Sequence, residues 1–160
     1  MPQKALFVTI QDIKQKSIIS GNVDPDKIIQ FVEVAQDTHI QNYLGGKLYD
    51  KLQDLIINDT LSDSGNSDYK TLIDEYVKPM LIWFTQSDYI PFAPFQISNG
   101  GVYKHRSENS EVITTEELNS LERRAKETAE FYTRRFMDYM DFNSSKYPEY
   151  LDSSNENMHP

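Results

Sequence analysis

Hydrophobic residues recur through most of the chain at intervals of three and four, which is the period of an α-helix. Asp24 followed by Pro25 marks a helix start, because aspartate caps free N–H groups and proline fits the first helical position. The helix that begins there carries an apolar stripe of Ile28, Val32, Ala35, Ile40 and Tyr43. Gly45-Gly46 is expected to end this helix or to bend it sharply.

The same pattern predicts two further helices before the middle of the chain and one across it. A short helix begins after Thr9, and the apolar stripe resumes beyond the glycines at Leu48, Leu52, Leu55 and Ile56. A long helix covers residues 67–90, and Pro79 within it predicts a kink, because an internal proline loses a hydrogen bond. The surrounding segment VKPMLIWF is the most apolar in the chain and is predicted to form the centre of the core.

The last predicted helix is also the longest. Thr114 and Glu117 have the spacing of a capping box, and apolar residues then step by threes and fours to about Phe142. A helix of roughly 28 residues is about 42 Å long. It would span a compact 160-residue protein or project from it.

The segment IPFAPFQISNGGVYKHRSENSEV, residues 90–112, has no helical period. It is longer than most loops, and its aromatic and β-branched residues argue against simple disorder. We therefore predict an all-α fold, an antiparallel bundle-like protomer with one long extended loop between its last two long helices. Its helical domain covers residues 1–143, including a loop arm at 91–113, and an extended tail follows at 144–160.

Charge and composition exclude several classes of protein. The formal net charge is −9, and each half of the chain carries more acidic than basic residues. Such a chain lacks the basic surface that binding to nucleic acid or to anionic membranes requires. It has no cysteine, no apolar run of transmembrane length and no signal-peptide pattern at its start, so we expect a protein assembled in the cytoplasm.

No constellation of catalytic residues is visible. The chain has no phosphate-binding glycine loop and no nucleophile elbow, and its three histidines, His39, His105 and His159, lack ligand spacing. Glu156 and His159 have a spacing used in di-iron bundles, but there is no second copy and no helical pattern around them. We therefore predict a protein that is not an enzyme and that has no catalytic residue, cofactor or metal. His39 lies on the apolar face of its helix and is expected to be a satisfied or partly exposed core histidine rather than a catalytic one.

Two arginine pairs, Arg123-Arg124 and Arg134-Arg135, lie in the last predicted helix among glutamates. Most of these charges can form surface pairs at i,i+4 spacing. Arginine is also enriched at interfaces, where it forms bidentate pairs with carboxylates, so an acidic partner is the alternative.

Several motifs resemble those of tailed-phage head-to-tail connector proteins. VEVAQDTHIQNYLGGKLYDKL, residues 32–52, is similar to their opening helix, in which a glycine is followed by LYxxL. YVKPMLIWFTQSDYIPF, then ISNGGVYKHRSENSE, then a helix ending in FYTRRFMDYM and the later YPEY, are similar to the ring or adaptor proteins of Bacteroidetes-infecting and crAss-like phages. The similarity covers residues 23–150, in order.

This resemblance implies a structural virion protein in the neck of the particle. Copies, commonly twelve, would form a ring beneath the portal that extends the DNA channel and docks the tail. The partners would be other copies, the portal protein and tail or neighbouring ring proteins, with DNA passing through unbound. An acidic wall suits that passage, and a closed ring requires two different complementary faces on each protomer.

The loop arm and the tail are the predicted contact segments for a neighbouring subunit or the portal. Extended peptides gain main-chain hydrogen bonds by strand pairing while alternate side chains fill pockets. The residues of this predicted contact set are Phe92, Phe95, Ile97, Val102, Tyr103, Tyr147, Tyr150 and Leu151. Two alternatives remain open: the loop could cover the protomer's own core, and the chain could be a soluble helical adaptor for a cellular protein partner.

Overall fold

The computed structural model describes residues 4–19, 23–98, 101–104 and 113–150. In chain order, the helices and strands in these ranges are α1 (Ile10–Lys16), α2 (Pro25–Ala35), α3 (Gln41–Leu44), α4 (Gly46–Ile57), α5 (Ser67–Thr71), α6 (Lys78–Tyr89), β1 (Phe95–Ser98), β2 (Gly101–Lys104) and α7 (Thr115–Asn143). Helices dominate these ranges, and the predicted all-α fold is confirmed.

Helix α6 lies at the centre of the bundle. It packs along α7 on one side and against α2 on another, and α1 also contacts it. Within the apolar segment predicted as the core, Val77, Met80, Leu81 and Ile82 are almost completely buried. The most hydrophobic stretch of the sequence is therefore the element that the other helices surround.

The predicted helix starts are confirmed by their caps. The Thr9 side chain accepts a hydrogen bond from the backbone N–H of Asp12 at 3.0 Å, and the Asp12 carboxylate accepts one from the Thr9 N–H at 3.0 Å. The Asp24 side chain caps α2 by accepting a hydrogen bond from the Asp26 N–H at 3.0 Å, and Thr114 with Glu117 forms the capping box of α7. Each cap satisfies N–H groups that have no partner within the helix.

Two π-helical turns interrupt the predicted regular helices. Gln36–Ile40 joins α2 to α3, and Leu72–Val77 joins α5 to α6. The second turn ends just before Pro79, which lies in the first turn of α6, where a missing N–H is tolerated. The proline is therefore accommodated by a change of helix type.

Gly45 makes the sharp bend between α3 and α4. Its φ of 77° and ψ of 158° lie in a region that residues with a Cβ rarely adopt. The backbone turns there, so that Leu44 and Leu48 on either side both face the core.

Buried glutamines hold the N-terminal segment on the bundle. The Gln53 amide accepts a hydrogen bond from the Ala5 N–H at 2.6 Å and donates one to the Ala5 carbonyl at 2.8 Å. Gln36 accepts from the Phe7 N–H at 2.9 Å. These side chains replace the backbone partners that a strand would provide, because buried N–H and C=O groups need partners.

The long segment between α6 and α7 contains a β-hairpin. Strands β1 and β2 pair antiparallel, with Ile97 opposite Val102 and Ser98 opposite Gly101. The predicted loop is therefore extended, but its two strands pair with each other. Within the described residues, the strands have no comparably extensive packing against any helix.

The beginning of the predicted C-terminal tail is packed on the bundle, so its description as an extended tail is corrected. A single 3-10 turn, Ser144–Lys146, follows α7, and residues 148–150 are helical. Tyr147 is fully buried among the core residues. The rest of the tail lies outside the described residues.

Candidate functional site

The β-hairpin carries apolar side chains into solvent. Val102 is 63% exposed, and Phe95 at the start of β1 is also exposed. Ile97 and Tyr103 are placed on the hairpin by its strand pairing, but their side chains lie outside the described part of the structure. Exposed apolar side chains on a segment with little packing of its own are typical of a contact surface.

An aromatic groove lies beside the base of the hairpin, between α2, the end of α6 and the start of α7. Phe31 of α2 contacts Phe92, with ring centroids 5.5 Å apart, and Tyr89, with centroids 5.3 Å apart. The groove holds a cavity of about 550 Å³, and a neighbouring cavity of about 370 Å³ shares Gln30, Phe31 and Phe92 with it. Phe92 is 55% exposed, so its ring is available to a partner.

The polar side chains of this groove are mainly acidic or neutral. His39 forms a 3.2 Å contact from Nε2 to the Asp88 carboxylate, and its ring stacks on Phe84 with centroids 4.1 Å apart. Glu122 of α7 lines the opposite side of the larger cavity. His39 is therefore a half-buried residue with both a carboxylate and an aromatic partner. This position agrees with the expected satisfied or partly exposed core histidine.

A second exposed surface runs along α7, on a face next to the buried one. We call it the α7 stripe and define it as Arg124, Thr128, Phe131, Arg135 and Phe142. Phe131 is 53% exposed and Phe142 is 89% exposed. The Arg135 guanidinium lies 4.9 Å from the centre of the Tyr76 ring, which holds the arginine in place from below.

Tyr147 does not belong to the contact surface. Its hydroxyl is 2.7 Å from the Tyr139 hydroxyl and donates to the Asp68 carbonyl at 2.9 Å, and its ring meets that of Tyr69 edge-on. Burial, followed by the bond to Tyr139, raises the pKa of Tyr147. Tyr147 is buried inside its own protomer, so the structure gives no support to its predicted contact with a partner.

The other predicted tail residues have different outcomes. Tyr150 is half-buried and packs edge-on against Phe136, with centroids 6.3 Å apart. Burial, and then the nearby Asp141 carboxylate, raise its pKa. Leu151 lies outside the described residues. Of the predicted contact set, Phe92, Phe95 and Val102 are therefore exposed on the hairpin and at its base, and Tyr150 is half-buried.

Sequence reasoning did not single out the groove. Phe31 and Val34 lie outside the stripe used to define the buried face of α2, and Asp88 had no visible partner. The π-helical turn that carries His39 changes which residues face α6, and a regular helical period does not reveal that change. The signal that was present is a pair of apolar residues, Phe31 and Val34, outside the buried stripe of α2.

Neither a metal cluster nor a membrane span is found among the described residues. No group of three or more His, Asp or Glu side chains there could hold a metal ion. None of the helices in those ranges is both long enough and apolar enough to cross a membrane.

Residues 40–159 match a protein family described as a family of unknown function, DUF6712. The match covers most of the chain, which therefore belongs to this family. No curated protein and no solved structure matches the chain significantly.

Proposed function

We propose that this chain is a structural virion protein that forms a ring at the portal–tail junction, extends the DNA channel and docks the tail. It acts without catalysis, in the neck of the virion, after assembly in the host cytoplasm. Its partners are further copies of itself, commonly twelve in a ring, together with the portal protein and tail or neighbouring ring proteins. DNA passes through the channel without specific binding.

The observation that carries this proposal is the hairpin with its exposed apolar side chains. The resemblance to connector proteins implies a ring, which needs two complementary faces on each protomer. The hairpin is our candidate for one of these faces, and Phe95 and Val102 are exposed on it. Burying these side chains against a partner would be favourable, because each buried methylene contributes about 0.8 kcal/mol of stabilisation. The charge of −9 adds support, since an acidic wall does not retain DNA.

Deleting residues 93–104 tests the proposal. We expect a variant with an unchanged helical circular dichroism spectrum, because the hairpin packs little against the bundle. We also expect it to lose ring formation, measured by electron microscopy and by solution mass with the candidate portal protein. The intact chain should give particles many times heavier than its 18.6 kDa monomer.

A finer variant separates side-chain contact from loop length. Phe95→Ser together with Val102→Ser keeps the hairpin and removes two exposed apolar groups. Impaired ring assembly in both variants supports contact through these side chains. Full-size rings formed on the portal by the deletion variant would refute the role of the hairpin. An intact chain that remains monomeric with its portal would favour the alternative, an adaptor for a cellular protein.

A further inference from the structure

The α7 stripe bears two arginines that have no carboxylate partner among the described residues. Neither Arg124 nor Arg135 forms an ion pair within those ranges. They are 11 positions apart, which in an α-helix places them on the same face, about 16 Å from each other. Phe131 lies between them. The stripe is therefore a row of two separated positive charges around an exposed aromatic ring.

A matching row of opposite charge lies on α2 and the π-helical turn after it. We call it the acidic row, and its members are Asp26, Gln30, Glu33 and Asp37. All four residues are exposed. Asp37 already pairs with Lys4, but its side chain remains 53% exposed, so it can accept a further partner.

The two rows have the same intervals in the sequence. Arg124, Thr128, Phe131 and Arg135 follow one another at intervals of four, three and four, and the acidic row has the same intervals. In an antiparallel arrangement, Arg124 faces Asp37 and Arg135 faces Asp26. These pairs are of the bidentate kind that arginine forms with carboxylates.

The same register brings the aromatic residue to the groove. Phe131 comes opposite Gln30, which lines both cavities together with Phe31 and Phe92. An exposed ring would thus enter an aromatic site in a second molecule, and the charges would form the polar rim. The carboxylates Asp88 and Glu122 also line the larger cavity of this groove.

We propose that the α7 stripe of one protomer docks antiparallel on the acidic row and aromatic groove of a second copy. The two surfaces are different parts of the chain, so the contact is head-to-tail and can be repeated around a ring. The inference deepens the proposed function by naming the two faces that join neighbouring protomers. It rests on that function, because the proposed ring supplies the second copy that occupies the groove.

Charge reversal with a matched control tests this contact. Arg124→Glu with Arg135→Glu should weaken self-association at least tenfold, measured by sedimentation velocity of the purified chain and by ring formation on the candidate portal. Arg123→Glu with Arg134→Glu makes the same charge change on the same helix but about 100° away around its axis. That control should change association by less than about threefold. Such a result would show that the change in net charge alone does not weaken the association.

Rescue and cross-linking identify the partner face. Adding Asp26→Arg and Asp37→Arg to the Arg124→Glu, Arg135→Glu chain should restore association. Because the chain has no cysteine, a Phe131→Cys chain mixed with a Gln30→Cys chain reports the register directly by disulfide formation. A Glu130→Cys chain, with its thiol on another face of α7, is the control and should cross-link poorly.

The outcomes separate this inference from the proposed function. Rings that form normally with the charge-reversed stripe, and without the 131–30 cross-link, overturn the inference and leave the ring intact. Loss of portal binding with self-association unchanged assigns the stripe to the portal and also overturns it. A chain that neither self-associates nor cross-links, alone or with its portal, counts against both.

Discussion

Three tyrosines at the end of the bundle, Tyr69, Tyr147 and Tyr150, have a pKa raised chiefly by burial. Burial comes first for Tyr69, and the hydrogen bond from its hydroxyl to the Glu149 carboxylate, at 2.8 Å, comes next; together they raise the pKa of Tyr69 to about 12. A phenolate there would face a carboxylate. The neutral form therefore binds the last segment of the chain to α5.

The raised pKa of Tyr69 predicts a loss of stability in alkali. The ordinary value is 10, so the folded state holds this proton more tightly than the unfolded chain does. The associated stability is complete below pH 10 and is lost as the pH rises from 10 to about 12. Tyr69→Phe should lower the free energy of unfolding at pH 8 by about 1 kcal/mol and reduce its fall above pH 10.

Urea titrations at a series of pH values measure this effect. Tyr43→Phe is the control, because Tyr43 lies on α3 and its ring stacks on Phe84. An unfolding free energy whose decline above pH 10 is the same in Tyr69→Phe as in the unaltered chain would contradict the prediction.

Local signals made several elements predictable. Asp24 and Thr114 fixed helix starts because a side-chain cap and the N–H group it satisfies are neighbours in the sequence. The hairpin strands were expected only as extended chain, because pairing depends on which strand comes alongside. Gln36 and Gln53 could not be assigned to the core, because their partners are backbone groups about 30 and 50 residues away.

The candidate site was predictable to a smaller extent for the same reason. Phe95 and Val102 were named from the apolar content of their segment, and both are exposed on the hairpin. Tyr147 has the same composition signal but is buried, since its hydroxyl partners on α5 and α7 become visible only in three dimensions. Sequence alone does not distinguish an apolar contact residue from an apolar core residue.

The bend between α3 and α4 depends on one glycine of the Gly45-Gly46 pair. Gly45 has a φ of 77°, whereas a Cβ at Gly46 would meet no atom within 4 Å. Gly45→Ala should lower the free energy of unfolding by about 1–3 kcal/mol, because alanine is strained in that conformation. Gly46→Ala, in the first turn of α4, should be neutral or slightly stabilising.

Thermal or urea unfolding of the two variants provides the comparison. Both variants add one methyl group, at neighbouring positions, so a difference in their stability does not come from composition or hydrophobicity. Equal stabilities would show that the bend tolerates a side chain, and the glycine pair would then have no conformational role.

At the scale of the whole molecule, the position of the arginines raises the question whether they bind protein or DNA. The chain is acidic in both halves, yet four of its arginines lie on α7. A protein that reads phosphates loses affinity steeply as salt rises, with a slope set by the number of contacts. A stripe that binds carboxylates on another copy, in a molecule of net charge −9, has little affinity for DNA to lose.

Duplex DNA retention between about 50 and 200 mM salt therefore tests how the stripe is used. We expect weak retention with almost no salt dependence, and the Arg124→Glu, Arg135→Glu chain should behave like the unaltered one. The control variant, Arg123→Glu with Arg134→Glu, should also be unchanged. Salt-steep binding that is lost only in the stripe variant would mean that the arginines contact phosphate. The chain would then have a DNA-binding face, which is not expected of a channel wall that lets DNA pass without binding it.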